Sequence, residues 1–207
     1  MNILAIGAHP DDIELGCAGT MLRYVSRGHA VYYLIMSDGS QGGSPSVRRE
    51  EQEAAAARVG VKHVFWGDCV DTRFTVNREM VSLIETVCSE VKPDEVYVNY
   101  AEDSHQDHRA LTRAVISATR YIPRVLFYED YTSIGFNPEI FVDISEVIEQ
   151  KIDVVKCHRS QVSRQQAAAL APLDMLESIH AVAHFRGFQG KVRYAEGFKP
   201  LRYLKII

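Results

Sequence analysis

The sequence has no apolar run long enough to cross a membrane. A spanning helix needs about 20 consecutive apolar residues, and no run in this 207-residue chain reaches that length. The first apolar run, Ile3 to Ala8, is also too short for the core of a secretory signal. We therefore expect no integral membrane segment, no secretory signal and a cytoplasmic location.

Cysteine is scarce and shows no clustering. The chain has four cysteines that lie far apart, at Cys17, Cys69, Cys88 and Cys157. Disulfide frameworks and cysteine zinc sites need closely spaced or regularly paired cysteines. The spacing therefore predicts reduced thiols and excludes a zinc site built from cysteine.

The chain also has no large excess of charge of either sign. It carries 23 Lys and Arg against 27 Asp and Glu, a net charge of −4, with both signs interspersed. A nucleic-acid-binding face or a polybasic membrane patch would need clustered positive charge. We expect no nucleic-acid partner, and the length fits a single domain over residues 1–207.

Short β-branched runs alternate along the chain with longer amphipathic stretches. The predicted strands are 2–7, 30–36, 61–66, 95–99, 124–128 and 140–144, with two short terminal strands at 193–197 and 201–206. The predicted helices are 15–26, 47–59, 77–91, 106–119, 145–158 with Ser145 as N-cap, and part of 165–188, where Pro172 interrupts or opens a helix. This alternation predicts an α/β fold, a three-layer Rossmann-like arrangement with a mostly parallel sheet and helices on both faces.

Two loops concentrate the histidine and aspartate residues. One is Ala8–Asp12, after the first strand, and the other is Glu102–His108, after the fourth. In the common strand order 3-2-1-4-5 these two strands are neighbours, and ligands bind in the crevice at their carboxyl ends. The topology therefore predicts that both loops face the same crevice.

Histidine and aspartate in such a crevice favour a catalytic zinc site. Three nitrogen or oxygen ligands plus a water molecule form such a site, and His9 and Asp12 with His108 or His105 could supply them; spacing alone does not decide between the two histidines. A carboxylate that does not bind the metal is needed as general base, and Asp11 is the candidate. Asp107 could orient a neighbouring imidazole.

These motifs resemble the PIG-L/LmbE family of zinc-dependent deacetylases. The stretch Ala8-His9-Pro10-Asp11-Asp12, followed by Gly16 and Gly19-Thr20, resembles the family signature, and His105-Gln106-Asp107-His108-Arg109-Ala110 resembles its second motif. Weaker matches cover nearly the whole chain: Ser37-Asp38-Gly39 with Gly42-Gly43, Arg48 with Glu51, His158-Arg159-Ser160-Gln161, and Tyr194-Ala195-Glu196-Gly197-Phe198. One departure is Ile13-Glu14, where many members have Glu directly after the second aspartate.

The resemblance implies a role for each residue. It implies zinc ligands at His9, Asp12 and His108, with one zinc ion or another divalent metal per subunit. It implies a general base at Asp11 and a protonated imidazole at His105 that stabilises the oxyanion. The implied substrate is a small N-acetylated sugar or glycoside of the N-acetylglucosamine type, and the implied assembly is a homo-oligomer such as a trimer or hexamer.

The resemblance also points to two substrate contacts. Arg48 resembles an arginine near the substrate pocket, although a surface arginine paired with Glu51 explains the sequence equally well. Asp71 follows the third strand and resembles a position that contacts sugar hydroxyls, although it could be a solvated loop acid.

Other functions fit the sequence less well. A nucleotide-binding oxidoreductase needs Gly-x-Gly-x-x-Gly at the end of the first strand, where this chain has Ala8-His9-Pro10. A metal-binding module without catalysis leaves Asp11 unexplained, and a phosphoesterase often needs two metals. His180 and His184 lack the glutamate of a zincin motif, so we expect them to pack or lie at the surface, with the rim of the cleft as the alternative.

Overall fold

The computed structural model of the chain describes residues 1–167 and 174–205. The strands are β1 Asn2–Gly7, β2 Ala30–Ser37, β3 His63–Cys69, β4 Glu95–Asn99, β5 Arg124–Tyr128, β6 Ile140–Asp143 and β7 Ala195–Tyr203. The helices are α1 Asp12–Ser26, α2 Pro45–Val59, α3 Arg78–Val91, α4 Gln106–Ala118, α5 Ile148–Val155, α6 Arg159–Ala167 and α7 Met175–Gly190. None of the helices described has the length and apolarity that a membrane crossing requires.

Within the described ranges, the strands form one seven-stranded sheet in the order β3-β2-β1-β4-β5-β7-β6. The first five strands are parallel, and β7 runs antiparallel to both β5 and β6. The predicted fold class and the order 3-2-1-4-5 are confirmed. Because β1 pairs with both β2 and β4, the winding reverses beside β1, and a crevice opens there at the carboxyl ends of the strands.

The side chains of β1 alternate between two cores, one on each face of the sheet. Ile3 and Ala5 pack in a core built with α1, α2, α5 and α7, whereas Leu4 and Ile6 pack in a second core built with α3 and α4. Successive residues of a strand point to opposite faces. The entirely apolar run of β1 is therefore explained by helices on both sides.

Helix α1 contains a break that the sequence pattern did not reveal. Cys17 has φ −147° and ψ 16°, outside the helical region. The Glu196 carboxylate accepts hydrogen bonds from the backbone N–H groups of Gly19 and Thr20, at 2.9 and 2.7 Å. Lys151 Nζ donates to the carbonyl of Leu15 at 2.7 Å and pairs with Glu196 at 2.6 Å. A buried ion pair thus satisfies the backbone groups on both sides of the break.

The first glycine of the motif that follows Asp12 lies against an aromatic ring. A Cβ atom at Gly16 would lie only 2.8 Å from Cγ of Tyr128. The hydroxyl of Tyr128 donates to the carbonyl of Ile6 at 2.9 Å and contacts Asn99 Oδ1 at 3.0 Å. Gly16 therefore allows Tyr128 to reach the ends of β1 and β4, where the two histidine loops begin.

Several predicted element boundaries are wrong. Ser145 is not a helix N-cap, because its hydroxyl donates to Asp143 and accepts from the N–H of Tyr194, and α5 begins only at Ile148. The two terminal strands are one strand, β7, although residues 206–207 lie outside the described residues. The prediction for Pro172 also lies outside them.

Candidate active site

The two histidine loops meet at the carboxyl ends of β1 and β4. The ring centroids of His9 and His105 are 4.7 Å apart, those of His9 and His108 are 5.4 Å apart, and those of His105 and His108 are 4.7 Å apart. All three rings line a cleft of about 230 Å³, together with Asp11 and Asp12. Residues almost a hundred positions apart in the chain therefore share one site.

One nitrogen of each of two imidazoles faces the Asp12 carboxylate. His9 Nδ1 lies 3.7 Å from Asp12 Oδ2, and His108 Nε2 lies 3.4 Å from the same atom. The outer nitrogens face other carboxylates. His9 Nε2 is 3.2 Å from Asp107, and His108 Nδ1 is 3.1 Å from Asp103. Outer carboxylates fix the orientation of an imidazole and leave its inner nitrogen available as a ligand.

Asp12 is held in place by the backbone of its own loop. Its Oδ2 atom accepts hydrogen bonds from the N–H groups of Ala8 and His9, at 2.9 and 3.0 Å. The side-chain amide of Asn99, at the end of β4, lies 3.3 Å from the same oxygen. In a dinucleotide site this turn cradles the pyrophosphate. Here the Asp12 carboxylate accepts hydrogen bonds from these backbone N–H groups instead.

Asp11 is buried next to this cluster and has a strained backbone. Its φ of 91° lies in the left-handed region, which a residue other than glycine rarely adopts. Its Oδ1 atom is 3.3 Å from the Arg48 guanidinium. Burial raises the pKa of Asp11 to about 6, against the opposing effect of Arg48. A carboxyl group in this range can both accept and return a proton near neutral pH.

His105 is the N-cap residue of α4. Its Nδ1 atom accepts a hydrogen bond from the backbone N–H of Asp107, at 3.2 Å. Burial and the neighbouring His9 and His108 lower the pKa of His105. Both observations favour a neutral imidazole with its proton on Nε2, whereas the family resemblance implies a protonated ring.

The candidate substrate residues have clear structural roles. Arg48 is buried and does not pair with Glu51. Its guanidinium donates to the carbonyls of Pro10 and Gly39, so it ties the first loop to the segment after β2. Asp71 is also buried, not solvated, and its carboxylate accepts from the N–H of Gln41 at 2.8 Å and lies 3.2 Å from His9 Nε2. Both residues line the cleft.

Sequence reasoning missed two acids of the site. Asp103 contacts Nδ1 of His108 at 3.1 Å. The sequence feature that could have indicated this role is its position in the loop Glu102–His108, just before α4. Asp130 is buried, and its carboxylate lies in one group with Asp12 and His108, with ligand atoms within 4.8 Å of one another. Burial and the charge of Asp12 raise the pKa of Asp130 to about 7. The sequence feature that could have indicated Asp130 is its position just after β5, at the edge of the sheet where β1 and β4 also end.

His180 and His184 lie away from the cluster. His184 is exposed and stacks on the ring of Tyr194, with centroids 4.3 Å apart. His180 contacts the same ring edge-on at 6.0 Å. Neither residue lines the cleft, which agrees with the predicted packing or surface role.

The donor set fits a divalent metal ion. Two imidazole nitrogens and a carboxylate are the ligands that zinc accepts in catalytic sites. The carboxylates around the cluster also favour positive charge at its centre. Burial opposes protonation of His108, yet Asp12 and Asp103 raise the pKa of this residue to about 10. Among the described residues, three groups of side chains could hold a cation: His9 with His105 and His108, His9 with Asp71 and Asp107, and Asp12 with His108 and Asp130.

Fold and cluster together define a class: Rossmann-like α/β proteins with a His/Asp cluster at the switch point of the sheet. Comparison with known proteins narrows this class. The PIG-L family model, described as GlcNAc-PI de-N-acetylase, matches residues 4–119. The chain belongs to the PIG-L family.

Similar proteins match between 77% and 99% of the chain. The uncharacterized deacetylase YaiS of Escherichia coli K12 is 34% identical over 168 residues, 77% of this chain and 91% of that protein. The diacetylchitobiose deacetylase of Thermococcus kodakarensis is 30% identical over 224 residues, 96% of this chain and 82% of that protein. The crystal structure of a conserved protein of Thermus thermophilus has a TM-score of 0.86 at 27% identity, covering 99% of this chain and 96% of that one.

Proposed function

We propose that the protein is a zinc-dependent hydrolase that removes the N-acetyl group from an amino sugar of the N-acetylglucosamine type, releasing acetate and a free amine. The observation that carries this proposal is a buried carboxylate, Asp11, next to a convergent set of two imidazoles and a carboxylate. A metal site without catalysis has no use for Asp11. The similarity to a diacetylchitobiose deacetylase supports the substrate class.

His9, Asp12 and His108 would hold the metal, with Asp107 and Asp103 orienting the two imidazoles. When bound, zinc lowers the pKa of a water ligand to about 7 and polarises a carbonyl group. The chain itself supplies the proton transfers and the remaining charge stabilisation.

Asp11 would move the protons. It takes one from the attacking water molecule and delivers it to the nitrogen of the leaving amine as the carbon–nitrogen bond breaks. The oxygen of the water stays in the acetate, so the overall reaction is hydrolysis of the amide. A pKa of about 6, raised by burial, suits both halves of this task.

His105 would stabilise the negative charge that develops on the carbonyl oxygen. Because its Nδ1 accepts from the N–H of Asp107, its Nε2 carries the proton and can donate into the cleft. A neutral donor suffices for an oxyanion, since backbone N–H groups perform this role in many hydrolases.

Replacing His105 with Ala is expected to lower kcat by roughly 10²-fold, the effect of removing one oxyanion donor, while zinc stays bound. Acetate release and zinc per chain are the measurements. His105→Asn is the matched variant, because Asn keeps the N-cap of α4 but is too short to replace the imidazole. If Asn restores the rate, capping rather than oxyanion stabilisation explains the loss.

Removal of the metal tests zinc dependence and substrate class together. Acetate release would be measured across N-acetylglucosamine, diacetylchitobiose and N-acetylglucosamine glycosides, before and after treatment with a chelator. We expect release from at least one of these sugars, loss of nearly all of it after chelation, and recovery on adding zinc. Full activity in the chelated protein would refute the proposed zinc dependence. Activity only on acetylated lysine peptides would refute the proposed substrate class.

The single-domain organisation, the homo-oligomeric assembly and the cytoplasmic location stay predictions from the sequence. Among the described residues, no observation favours the alternative functions. The oxidoreductase in particular would need the backbone N–H groups that Asp12 occupies.

A further inference from the structure

We propose that His158 is a positioning residue for the reaction, acting through Glu14 and Gln52 on the backbone of Asp11. The inference rests on the proposed role of Asp11 as general base. His158 begins the His-Arg-Ser-Gln segment, which neither the candidate metal site nor the proposed proton transfers use.

Asp11 needs external support. Its left-handed backbone is unfavourable for a residue other than glycine, and such a conformation persists only where the surroundings enforce it. Its N–H group donates to Oε1 of Gln52 at 3.1 Å. Gln52 is fully buried on α2, so this hydrogen bond does not compete with solvent.

The orientation of the Gln52 amide is set by its other end. Its Nε2 donates to Oε1 of Glu14 at 2.8 Å. A carboxylate can only accept, so Glu14 requires the NH₂ group on its side and leaves the oxygen of the amide facing Asp11. A rotated amide would direct its NH₂ group at the N–H of Asp11.

Glu14 is itself fully buried, with the ring of His158 beside its carboxylate. His158 Nε2 lies 3.3 Å from the second oxygen of Glu14, and both side chains have no exposed surface. Burial opposes a charged ring, but Glu14 raises the pKa of His158 above its usual value. The His158 ring therefore faces the same carboxylate that sets the orientation of the Gln52 amide, and through Gln52 it acts on the N–H group of Asp11.

The position of His158 is fixed by α2 as well. Two residues further along, Ser160 donates to the carboxylate of Glu51 through both its N–H and its hydroxyl, at 2.8 and 2.7 Å. Glu51 and Gln52 are adjacent on α2. The start of α6 is thus fastened to the helix that contacts Asp11.

The experiment compares His158→Leu with His158→Gln. Leu fills the space but cannot donate, whereas Gln can donate a neutral hydrogen bond to Glu14. A packing role would be served at least as well by Leu, and a positioning role only by Gln. We expect His158→Leu to lower kcat at least tenfold with unchanged KM and zinc content, and His158→Gln to stay within threefold of wild type. Equal kcat values for the two variants would overturn the proposal.

A second measurement does not depend on activity. Hydrogen exchange of the Asp11 amide, followed by NMR, reports its hydrogen bond to Gln52 directly. Protection should fall at least tenfold in His158→Leu and in Gln52→Leu, and persist in His158→Gln. Unchanged protection in both Leu variants would show that His158 does not act on Asp11. Glu95→Gln, which alters a buried carboxylate at the start of β4, is the control and should leave protection and kcat unchanged.

The two proposals fail in different ways. If Asp11→Asn remains active, the proposed base is wrong whatever His158 does. If Asp11→Asn is inactive while both His158 variants behave alike in kcat and in exchange, only the positioning role is wrong.

Discussion

Replacing Asp11 with Asn is expected to lower kcat by roughly 10³-fold or more and to leave zinc at the wild-type level. General acid–base catalysis contributes about 10²- to 10⁴-fold, and Asp11 would serve in both proton transfers. The amide of Asn cannot accept a proton from water or return one to the amine. The metal stays because His9, Asp12 and His108 are unchanged.

The substitution is mild for the structure. Asn has almost the shape of Asp and adopts the left-handed region more readily than most residues, so the φ of 91° is retained. Its carbonyl can still accept from Arg48, which lies 3.3 Å from Oδ1. A loss of rate can therefore be assigned to the missing carboxylate. The measurements are kcat for acetate release and zinc per chain.

Asp68→Asn is the matched control. Asp68 also has a positive φ, of 50°, but it is exposed and pairs with Arg49 away from the histidine cluster. The same chemical change there should leave kcat within twofold of wild type. An Asp11→Asn protein with near-wild-type kcat, or one that has lost its zinc, would contradict the assignment of Asp11 as a base that does not bind the metal.

Local sequence information was sufficient for the central strands. β1, β4 and β5 have the predicted bounds, because each is a short apolar run buried on both faces and ended by polar or turn residues. The beginnings of helices were less accurate. α2 begins at Pro45 rather than residue 47, since Pro fits the first turn, where its missing N–H costs nothing.

Long-range contacts explain most of what the sequence could not reveal. The break in α1 at Cys17 depends on Glu196, which lies far along the chain and satisfies the N–H groups that the break frees. β7 is one strand rather than two, because β6 pairs with its first half and β5 pairs with its second half, across Pro200. No local pattern around either position encodes its distant partner.

In the site, too, some contacts follow from the strand order, and others depend on long-range packing. The rule that ligands bind at the switch point brought His9 and His108 together correctly, because it depends only on strand order. The orientation of Arg48 toward Pro10, and the approach of Asp130 to Asp12, depend on how helices and loops pack. Residue type and spacing do not determine such contacts.

Replacing His108 with Ala is expected to abolish zinc binding and, with it, acetate release. The variant would retain one imidazole and one carboxylate of the proposed ligand set, short of the three protein ligands that catalytic zinc sites use. The fold should survive, because Asp103 keeps a hydrogen bond from the Thr132 hydroxyl at 3.0 Å after the imidazole is lost. Zinc per chain after dialysis should fall below a tenth of the wild-type value.

Thermal unfolding measures the loss of zinc binding in His108→Ala independently of catalysis. A ligand at about 1,000 times its Kd stabilises the folded state by about 4 kcal/mol. In a chain of this size that corresponds to a rise in Tm of roughly 8–16 °C. Zinc should produce this rise in the wild type and in His184→Ala, where the lost imidazole is exposed and stacks on Tyr194, but not in His108→Ala. A full zinc-dependent rise in His108→Ala would mean that the metal is held by a different set of residues, and the nearby carboxylate of Asp130 would then be the first replacement ligand to test.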